Sequence, residues 1–238
     1  EDNGTDENLD NKVDIETKKR FNSWNEFLEK VKKTKSKITI FTSGTTGSPK
    51  KVVHTVGRFI EMSRVGRKYE SNKWALLYNI SHMAGFQVFF QAFLNKNTLV
   101  YLFEASRDEF ISACDSQEIS HVSATPTFYR LLSPFNFKLN KVKKCTLGGE
   151  KCDTQLINKL NTIFPNASIH NIYASTEAGS LFISKGESFK VLETLRGKVK
   201  FIENEIVIHK SLLGDFELDG WFFTGDLVQF IDENNTEF

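Results

Sequence analysis

The chain contains 238 residues, of which 39% are hydrophobic and 26% are charged, and its net charge is +1. This composition is typical of a globular protein with a buried core, and it gives no electrostatic argument for nucleic acid or an acidic membrane as a partner. No apolar run reaches the roughly 18 residues that cross a bilayer. The three cysteines lack the spacing of metal ligands and indicate free thiols in a reducing, cytoplasmic environment.

The N-terminal region predicts a polar tail followed by a short helix. Residues 1–20 are almost wholly polar, so we expect a disordered segment there rather than a signal peptide. Beyond them, Ser23 and Glu26 form a capping-box pattern. Five apolar residues fall on one helical face, and they are Phe21, Trp24, Phe27, Leu28 and Val31. This segment is predicted to be a helix that docks on the core.

Short β-branched or aromatic runs then alternate with helical patterns. Strands are expected at 37–42, 74–79, 98–103, 120–124, 143–147 and 168–173. Helices are expected near 54–68, 85–95, 107–117, 126–132 and 153–163. This alternation predicts an α/β core over residues 21–180, with helices flanking a largely parallel sheet. A smaller β-rich subdomain is expected over residues 181–238, with short strands at 198–202, 205–209 and 227–231.

The segment TSGTTGSPK follows the first predicted strand and has a composition that suits neither a strand nor a helix. Its glycines let the backbone approach a ligand closely, its hydroxyl groups supply donors, and Lys50 adds a positive charge. At a strand-to-helix junction, such a loop would bind phosphate. It is not a Walker A loop, because only Thr45 and Thr46 separate Gly44 from Gly47. A flexible turn is the alternative interpretation.

Three ordered segments resemble the signatures of the adenylate-forming superfamily, which includes acyl- and aryl-CoA ligases, luciferases and nonribosomal peptide synthetase adenylation domains. They are TSGTTGSPK, NIYASTEAG and GWFFTGDL, which begin at Thr42, Asn171 and Gly220. The segments SHMAGF, HVSATPTFYRLL and LGGE are similar to the CoA-ligase branch, in the neighbourhood of o-succinylbenzoate-CoA ligase. The resemblance covers about residues 37–238 and implies the N-terminal domain of such an enzyme.

The resemblance implies ATP and Mg²⁺ as ligands and CoA as a co-substrate, and it assigns roles to individual residues. Lys50, Thr176, Glu177 and His82 would be catalytic, with Glu177 as the Mg²⁺ ligand. Tyr173 would stack on adenine, Asp226 would bind the ribose hydroxyls, and His82 would border the acyl pocket. The residues expected to contact the nucleotide are Thr42, Ser43, Gly44, Thr45, Thr46, Gly47, Gly148, Gly149, Glu150, Asn171, Tyr173, Ala174, Ser175 and Asp226.

Each of these assignments has a structural alternative. Glu177 could be an acid that caps a surface helix, Asp226 could be a turn aspartate, and His82 could be a satisfied structural group. The other four histidines have neither metal spacing nor a motif and are expected to be structural. They are His54, His121, His170 and His209.

The implied reaction is attack of a carboxylate on the α-phosphorus of MgATP, with release of pyrophosphate and formation of an acyl-adenylate. The acyl group would then pass to CoA. One alternative is transfer to a carrier-protein thiol or an amine acceptor, and another is an inactive nucleotide-binding sensor or scaffold. The segment SHMAGF contains no carboxylate to pair with an α-ammonium group, so an acid without that charge is favoured.

The chain also departs from the family pattern. Lys51 and Ala174 occupy positions where members of the family usually have glycine. About 40 residues precede the phosphate loop, so we expect a shortened first subdomain. No segment after Asp226 matches the hinge and mobile C-terminal domain, so we expect that domain to be absent from this chain.

Overall fold

The computed structural model describes residues 21–42, 50–214, 219–232 and 237–238. The predicted tail at residues 1–20 and most of the predicted phosphate loop lie outside these ranges. The helices are α1 Trp24–Lys32, α2 Val56–Met62, α3 Met83–Leu94, α4 Arg107–Ser116, α5 Pro126–Leu131 and α6 Thr154–Ile163. The strands are β1 Lys37–Thr42, β2 Lys50–Thr55, β3 Lys73–Leu76, β4 Thr98–Tyr101, β5 His121–Ala124, β6 Lys144–Gly148, β7 Ser168–Ser175, β8 Gly179–Ser184, β9 Val199–Ile202, β10 Glu205–His209 and β11 Trp221–Leu227.

The largest sheet has six strands in the order β4-β3-β5-β6-β7-β8. The first five strands are parallel to their neighbours, and β8 returns antiparallel to β7. The predicted α/β class with a largely parallel sheet is therefore confirmed. Because the parallel strands all end at one edge of the sheet, the segments that follow β6 and β7 lie side by side, which is where open α/β sheets bind ligands.

Helices cover both faces of this sheet. On one face, α4, α5 and α6 bury Phe110, Tyr129 and Leu160 against the strands. On the other face, α3 packs against Trp74 and Leu76 of β3. The intervening Ala75 belongs to the first layer, because successive side chains in a strand point to opposite faces.

The N-terminal helix α1 forms as expected, although its cap differs in one detail. Ser23 Oγ accepts a hydrogen bond from the Glu26 N–H group at 3.1 Å. The Glu26 carboxylate accepts from the Asn22 N–H group at 3.0 Å, one residue earlier than in the predicted capping box. Leu28 is buried in a hydrophobic cluster with α2 and α3, so α1 docks on the core as predicted.

The predicted strand at residues 37–42 is confirmed, but it does not belong to the parallel sheet as expected. It pairs antiparallel with β2 in a separate two-stranded hairpin, with Ile40 opposite Val52. The predicted helix at 54–68 is shorter, because α2 begins at Val56 after the capping residue Thr55 and ends at Met62. The predicted phosphate loop therefore joins two strands of a hairpin, and the expected strand-to-helix junction is wrong. Val52 and His54 are buried on alternate positions, which is the pattern of a strand.

The C-terminal part contains an antiparallel sheet in the order β11-β10-β9. The predicted strands at 198–202 and 205–209 are confirmed. The predicted strand at 227–231 is wrong, because Trp221–Leu227 already occupies the edge of β10, with Phe222 opposite Ile208. Val228 leaves that ladder and donates its N–H to the Asn204 carbonyl at 2.8 Å.

Two expectations from composition can also be compared with the fold. Cys114, Cys145 and Cys152 are buried free thiols, as predicted. Within the described ranges, no helix is long and apolar enough to cross a membrane.

Candidate nucleotide and acid site

Two residues from distant parts of the sequence meet where β2 begins and β7 ends. Lys50 Nζ lies 3.4 Å from Glu177 Oε1, across 127 positions of sequence. The Glu177 side chain is 15% exposed and the Lys50 side chain is 48% exposed, so the pair lies near the surface rather than in the core. The Lys50 ammonium also lies 4.9 Å from the ring centroid of Phe222 in β11. Two strands, β2 and β11, and the turn after β7 therefore contribute to this point.

A second pair joins β7 to β11. The Tyr173 hydroxyl donates a 2.6 Å hydrogen bond to Asp226 Oδ2. Burial, the hydrogen bond to Asp226 and the charge of that carboxylate all raise the pKa of Tyr173, so the phenol remains a donor at neutral pH. Its ring packs against Phe182, with centroids 5.4 Å apart. Tyr173 is therefore rigidly held and keeps the Asp226 carboxylate oriented.

Backbone contacts fix Asp226 from its other side. The Gly225 N–H group donates to Glu205 Oε1 at 2.7 Å, and the Asp226 N–H group donates to Thr224 Oγ1 at 3.1 Å. Gly225 has φ +80°, a conformation that glycine adopts without strain. Asp226 is thus an exposed residue within β11, where the sheet has a bulge, and the alternative of a simple turn aspartate does not hold.

The segment Thr176–Ala178 connects β7 to β8 in a tight, hydrogen-bonded turn. Ser175 Oγ accepts from the Ala178 N–H group at 3.1 Å, and the Glu177 carbonyl accepts from the Gly214 N–H group at 2.9 Å. Since β8 follows directly at Gly179, Glu177 does not cap a helix. The carbonyl of Thr176 lies 2.7 Å from His54 Nε2.

The segment after β6 begins beside β7, where Gly148 pairs with Ile172. Gly148 is buried and faces the Ile172 carbonyl, which a Cβ atom would approach to 3.3 Å. Glu150 is exposed, and its Oε2 atom accepts hydrogen bonds from the Thr127 N–H group at 2.9 Å and the Thr127 hydroxyl at 2.5 Å. Glu150 is thereby tied to the first turn of α5. Gly149 adopts φ +85° between these two residues.

The remaining predicted site residues lie in different environments. Thr42 lies opposite Lys50 in the hairpin, and Ala174 and Ser175 end β7 opposite β8. Asn171 is buried, and its amide donates to the Gly186 carbonyl at 3.2 Å, which engages it with the far end of β8. His82 is exposed at the N-cap of α3 and makes no side-chain capping hydrogen bond. The loop residues Ser43, Gly44, Thr45, Thr46 and Gly47 lie outside the described ranges.

Sequence reasoning missed two contributors to this site. Phe222 lies inside the GWFFTGDL segment, yet nothing in that string marks it as a partner of Lys50. His54 is expected from the sequence to be structural, and the alternation in KKVVHT is too short to indicate that its side chain points inward. Both contacts arise from the packing of strands that are remote in sequence.

A family model described as AMP-binding enzyme matches residues 4–208. The chain belongs to this family. The resemblance to adenylate-forming enzymes is therefore confirmed, and the ordered segments that carried it are those whose side chains meet in the Lys50–Glu177 and Tyr173–Asp226 pairs.

Curated relatives of this AMP-binding protein include several enzymes. A 2-succinylbenzoate--CoA ligase of Staphylococcus epidermidis is 27% identical over 228 residues, which cover 82% of this chain and 47% of the relative. A hybrid PKS-NRPS synthetase of Penicillium citrinum is 31% identical over 152 residues, covering 58% of this chain and 4% of the relative. The chain thus spans about half the length of the CoA ligase that it matches, or less in other relatives.

Solved structures share the same fold. O-succinylbenzoate Coenzyme A Synthetase from Bacillus subtilis, in complex with AMP, has a TM-score of 0.65 and 19% identity, and the match covers 84% of this chain and 48% of that one. The N-terminal domain of FACL13 from Mycobacterium tuberculosis also has a TM-score of 0.65, with 18% identity and 84% of this chain covered. At these identities the match concerns the fold alone.

Proposed function

We propose that this AMP-binding protein activates a carboxylic acid with MgATP, releases pyrophosphate and forms an acyl-adenylate, which then reacts with CoA. The observation that carries this proposal is that Lys50 contacts Glu177 and Tyr173 contacts Asp226, although β2, β7 and β11 belong to three different sheets. These side chains supply the groups that would bind a nucleoside triphosphate. They are a cation and an oxygen ligand for the phosphates and Mg²⁺, an aromatic ring for the base, and a carboxylate for the ribose. They come from β2, β7, the turn after β7 and β11, so their meeting is a product of the fold.

Lys50 and Glu177 are assigned to the phosphates. The ammonium of Lys50 would interact with phosphate oxygens, where its positive charge compensates the charge that develops as pyrophosphate leaves. Mg²⁺ is typically bound by one or two carboxylates together with nucleotide phosphates. The single, partly buried carboxylate of Glu177 beside Lys50 fits that donor set. When bound, Mg²⁺ would neutralise phosphate charge, and the current Lys50–Glu177 contact would open to admit it.

Tyr173 and Asp226 are assigned to the nucleoside. The Asp226 carboxylate is exposed and has one oxygen, Oδ1, without the hydrogen bond from Tyr173, so it retains acceptor capacity for ribose hydroxyls. The Tyr173 ring is fixed by Phe182 and offers an aromatic surface at the end of β7. Gly148, Gly149 and Glu150 would border the adenine and the acid.

The step assigned to the protein itself is positioning. The carboxylate of the substrate attacks the α-phosphorus, a new oxygen–phosphorus bond forms, and the bond to pyrophosphate breaks. No covalent nucleophile of the protein is needed, because orientation and charge stabilisation supply the catalysis. In the second step, the CoA thiol would attack the acyl carbon and AMP would leave.

The alternative acceptor is a carrier-protein thiol. The similarity to a hybrid PKS-NRPS synthetase supports it, whereas the similarity to CoA ligases over a larger share of the chain supports CoA. The acid is expected to lack an α-ammonium group, because SHMAGF has no carboxylate to pair with it.

The test is acid-dependent exchange of labelled pyrophosphate into ATP by the full-length protein, with Asp226→Asn and Asp219→Asn as matched variants. Both aspartates are on or beside β11, but Asp219 pairs with Lys210 at the opposite end of the strand. We expect exchange in the wild type and in Asp219→Asn, and a loss of at least tenfold in Asp226→Asn. Absence of exchange with every acid in a broad panel would reject the activity, and equal rates in the two variants would reject the ribose assignment.

A further inference from the structure

His54 lies inside the protein between the two halves of the site. It is the fifth residue of β2, its side chain is fully buried (0% exposed), and its ring makes an edge-on contact with Phe59 at 5.6 Å. Its Nε2 atom lies 2.7 Å from the carbonyl oxygen of Thr176. Because a carbonyl only accepts, Nε2 carries the proton and donates. The imidazole thus connects the hairpin that contains Lys50 with the turn that contains Glu177.

The segment at Gly214 also lies against the His54 ring. A Cβ atom at Gly214 would lie 2.5 Å from His54 Nδ1 and 2.6 Å from Cε1, so only glycine allows this approach. The Gly214 N–H group in turn donates to the Glu177 carbonyl at 2.9 Å. His54 and Gly214 therefore hold two consecutive carbonyl groups, those of Thr176 and Glu177.

The surroundings keep the imidazole neutral. Nδ1 is buried and has no hydrogen-bond partner among the described residues, so a second proton would have no acceptor there. Burial lowers the pKa of His54 and nearby Arg58 adds to this effect, whereas the Thr176 carbonyl and Glu177 oppose it. Neutral imidazole with its proton on Nε2 is the form that makes the contact with Thr176.

We propose that His54 is a positioning residue that fixes the distance between Lys50 and Glu177 by donating its Nε2 proton to the Thr176 carbonyl. Lys50 and His54 lie four positions apart on one strand, and Thr176 and Glu177 are adjacent, so the hydrogen bond and the ion pair join the same strand to the same turn. Among the described residues, it is the side-chain hydrogen bond that links this strand to the turn, apart from the Lys50–Glu177 contact itself. The catalytic consequence rests on the proposed function, but the geometric role does not.

The experiment measures how often Lys50 and Glu177 are in contact. A zero-length carbodiimide reagent joins an amine to a carboxylate only when they are in contact, and the product is quantified by peptide mass spectrometry. The exposed Lys141–Glu118 pair, 3.1 Å apart at the opposite end of the sheet, serves as the internal standard in each sample. The variants are His54→Leu, His54→Gln and Gly214→Ala, with Phe59→Leu as a packing control.

The expected pattern separates hydrogen bonding from packing. Glutamine can offer an N–H group to Thr176, so His54→Gln should retain the Lys50–Glu177 cross-link. His54→Leu, which removes the donor, and Gly214→Ala, which displaces the ring, should lower its yield about fivefold relative to the standard. Phe59→Leu should unfold at lower urea concentration yet keep the cross-link.

Two results would overturn the proposal. One is an unchanged cross-link in both His54→Leu and Gly214→Ala, measured where urea titration shows each to be folded. The other is an equal loss in His54→Gln and His54→Leu, because the shape of the ring rather than its donor would then matter. Pyrophosphate exchange by the wild type tests the proposed function separately, so its failure leaves the cross-linking result decisive for His54.

Discussion

The hydroxyl group of Tyr173 donates a 2.6 Å hydrogen bond to the carboxylate of Asp226, and this contact links β7 of the large sheet to β11 of the small one. The family resemblance assigns these two residues to adenine and ribose. Their mutual contact means that the aromatic ring and the carboxylate are oriented together before a nucleotide arrives. A pre-oriented site loses less conformational freedom on binding.

Replacing Tyr173 by Phe should test this coupling. The variant keeps the ring but removes the donor, so we expect ATP to bind about threefold to tenfold more weakly, with the ring-dependent part of binding retained. Isothermal calorimetry with Tyr173→Phe, Asp226→Ala and the double variant gives the interaction energy between the two residues. Strict additivity of the two single effects would contradict a coupled site.

The variant Glu177→Gln should distinguish the contribution of Mg²⁺ to ATP binding from the binding of ATP itself. Glutamine keeps the size of the side chain but removes its charge, so the stimulation of ATP binding by Mg²⁺ should fall at least tenfold, while metal-free ATP should bind no more weakly. The measurement is ATP affinity with Mg²⁺ and with EDTA. Glu118→Gln, which changes a carboxylate paired with Lys73 and Lys141, is the matched control and should leave both affinities unchanged. Retention of the full Mg²⁺ effect in Glu177→Gln would remove Glu177 as the ligand.

The nature of the acid can be tested with a panel of carboxylic acids in the pyrophosphate exchange assay. Aryl and aliphatic acids without an α-ammonium group should support exchange better than their α-amino counterparts, because a buried ammonium without a carboxylate partner costs several kcal/mol. His82→Ala should alter the preference among these acids if His82 borders the pocket. A preference for a free amino acid that persists in His82→Ala would favour the carrier-protein alternative.

The stability of the protein should depend on pH through His121. Burial, followed by smaller effects of Lys144 and Lys143, lowers the pKa of His121 to about 4. An unfolded histidine has a pKa of about 6.5, so below that pH the unfolded chain takes up a proton that the folded chain does not. The stability contributed by neutral His121 is therefore present above pH 6.5 and is lost as the pH falls toward 4.

His121→Gln removes this titration. Between pH 7 and pH 5, wild type should lose about 1–2 kcal/mol more free energy of unfolding than the variant, after allowance for the partial exposure of the ring. Urea titrations at both pH values provide the comparison. Equal losses in the two proteins would show that folding does not lower the pKa of His121.

The sequence by itself determined the class of fold, and it supplied the candidate site residues. Alternating β-branched and helical runs mark parallel strands and their helices, because burial on both faces of a sheet requires locally apolar strands. The segments TSGTTGSPK, NIYASTEAG and GWFFTGDL carry their chemical groups as contiguous strings, so they can be recognised without knowledge of tertiary structure.

Only the tertiary structure decided which side chains of those segments contact each other. Whether β1 continues into the parallel sheet or returns as a hairpin depends on its partner strand, and the alternation in KKVVHT was too short to distinguish a strand from the start of a helix. The contacts of Lys50 with Glu177, of Tyr173 with Asp226 and of His54 with Thr176 join positions 127, 53 and 122 residues apart. Such contacts leave no local pattern in sequence, because they arise from the packing of one sheet against another rather than from the periodicity of any one strand.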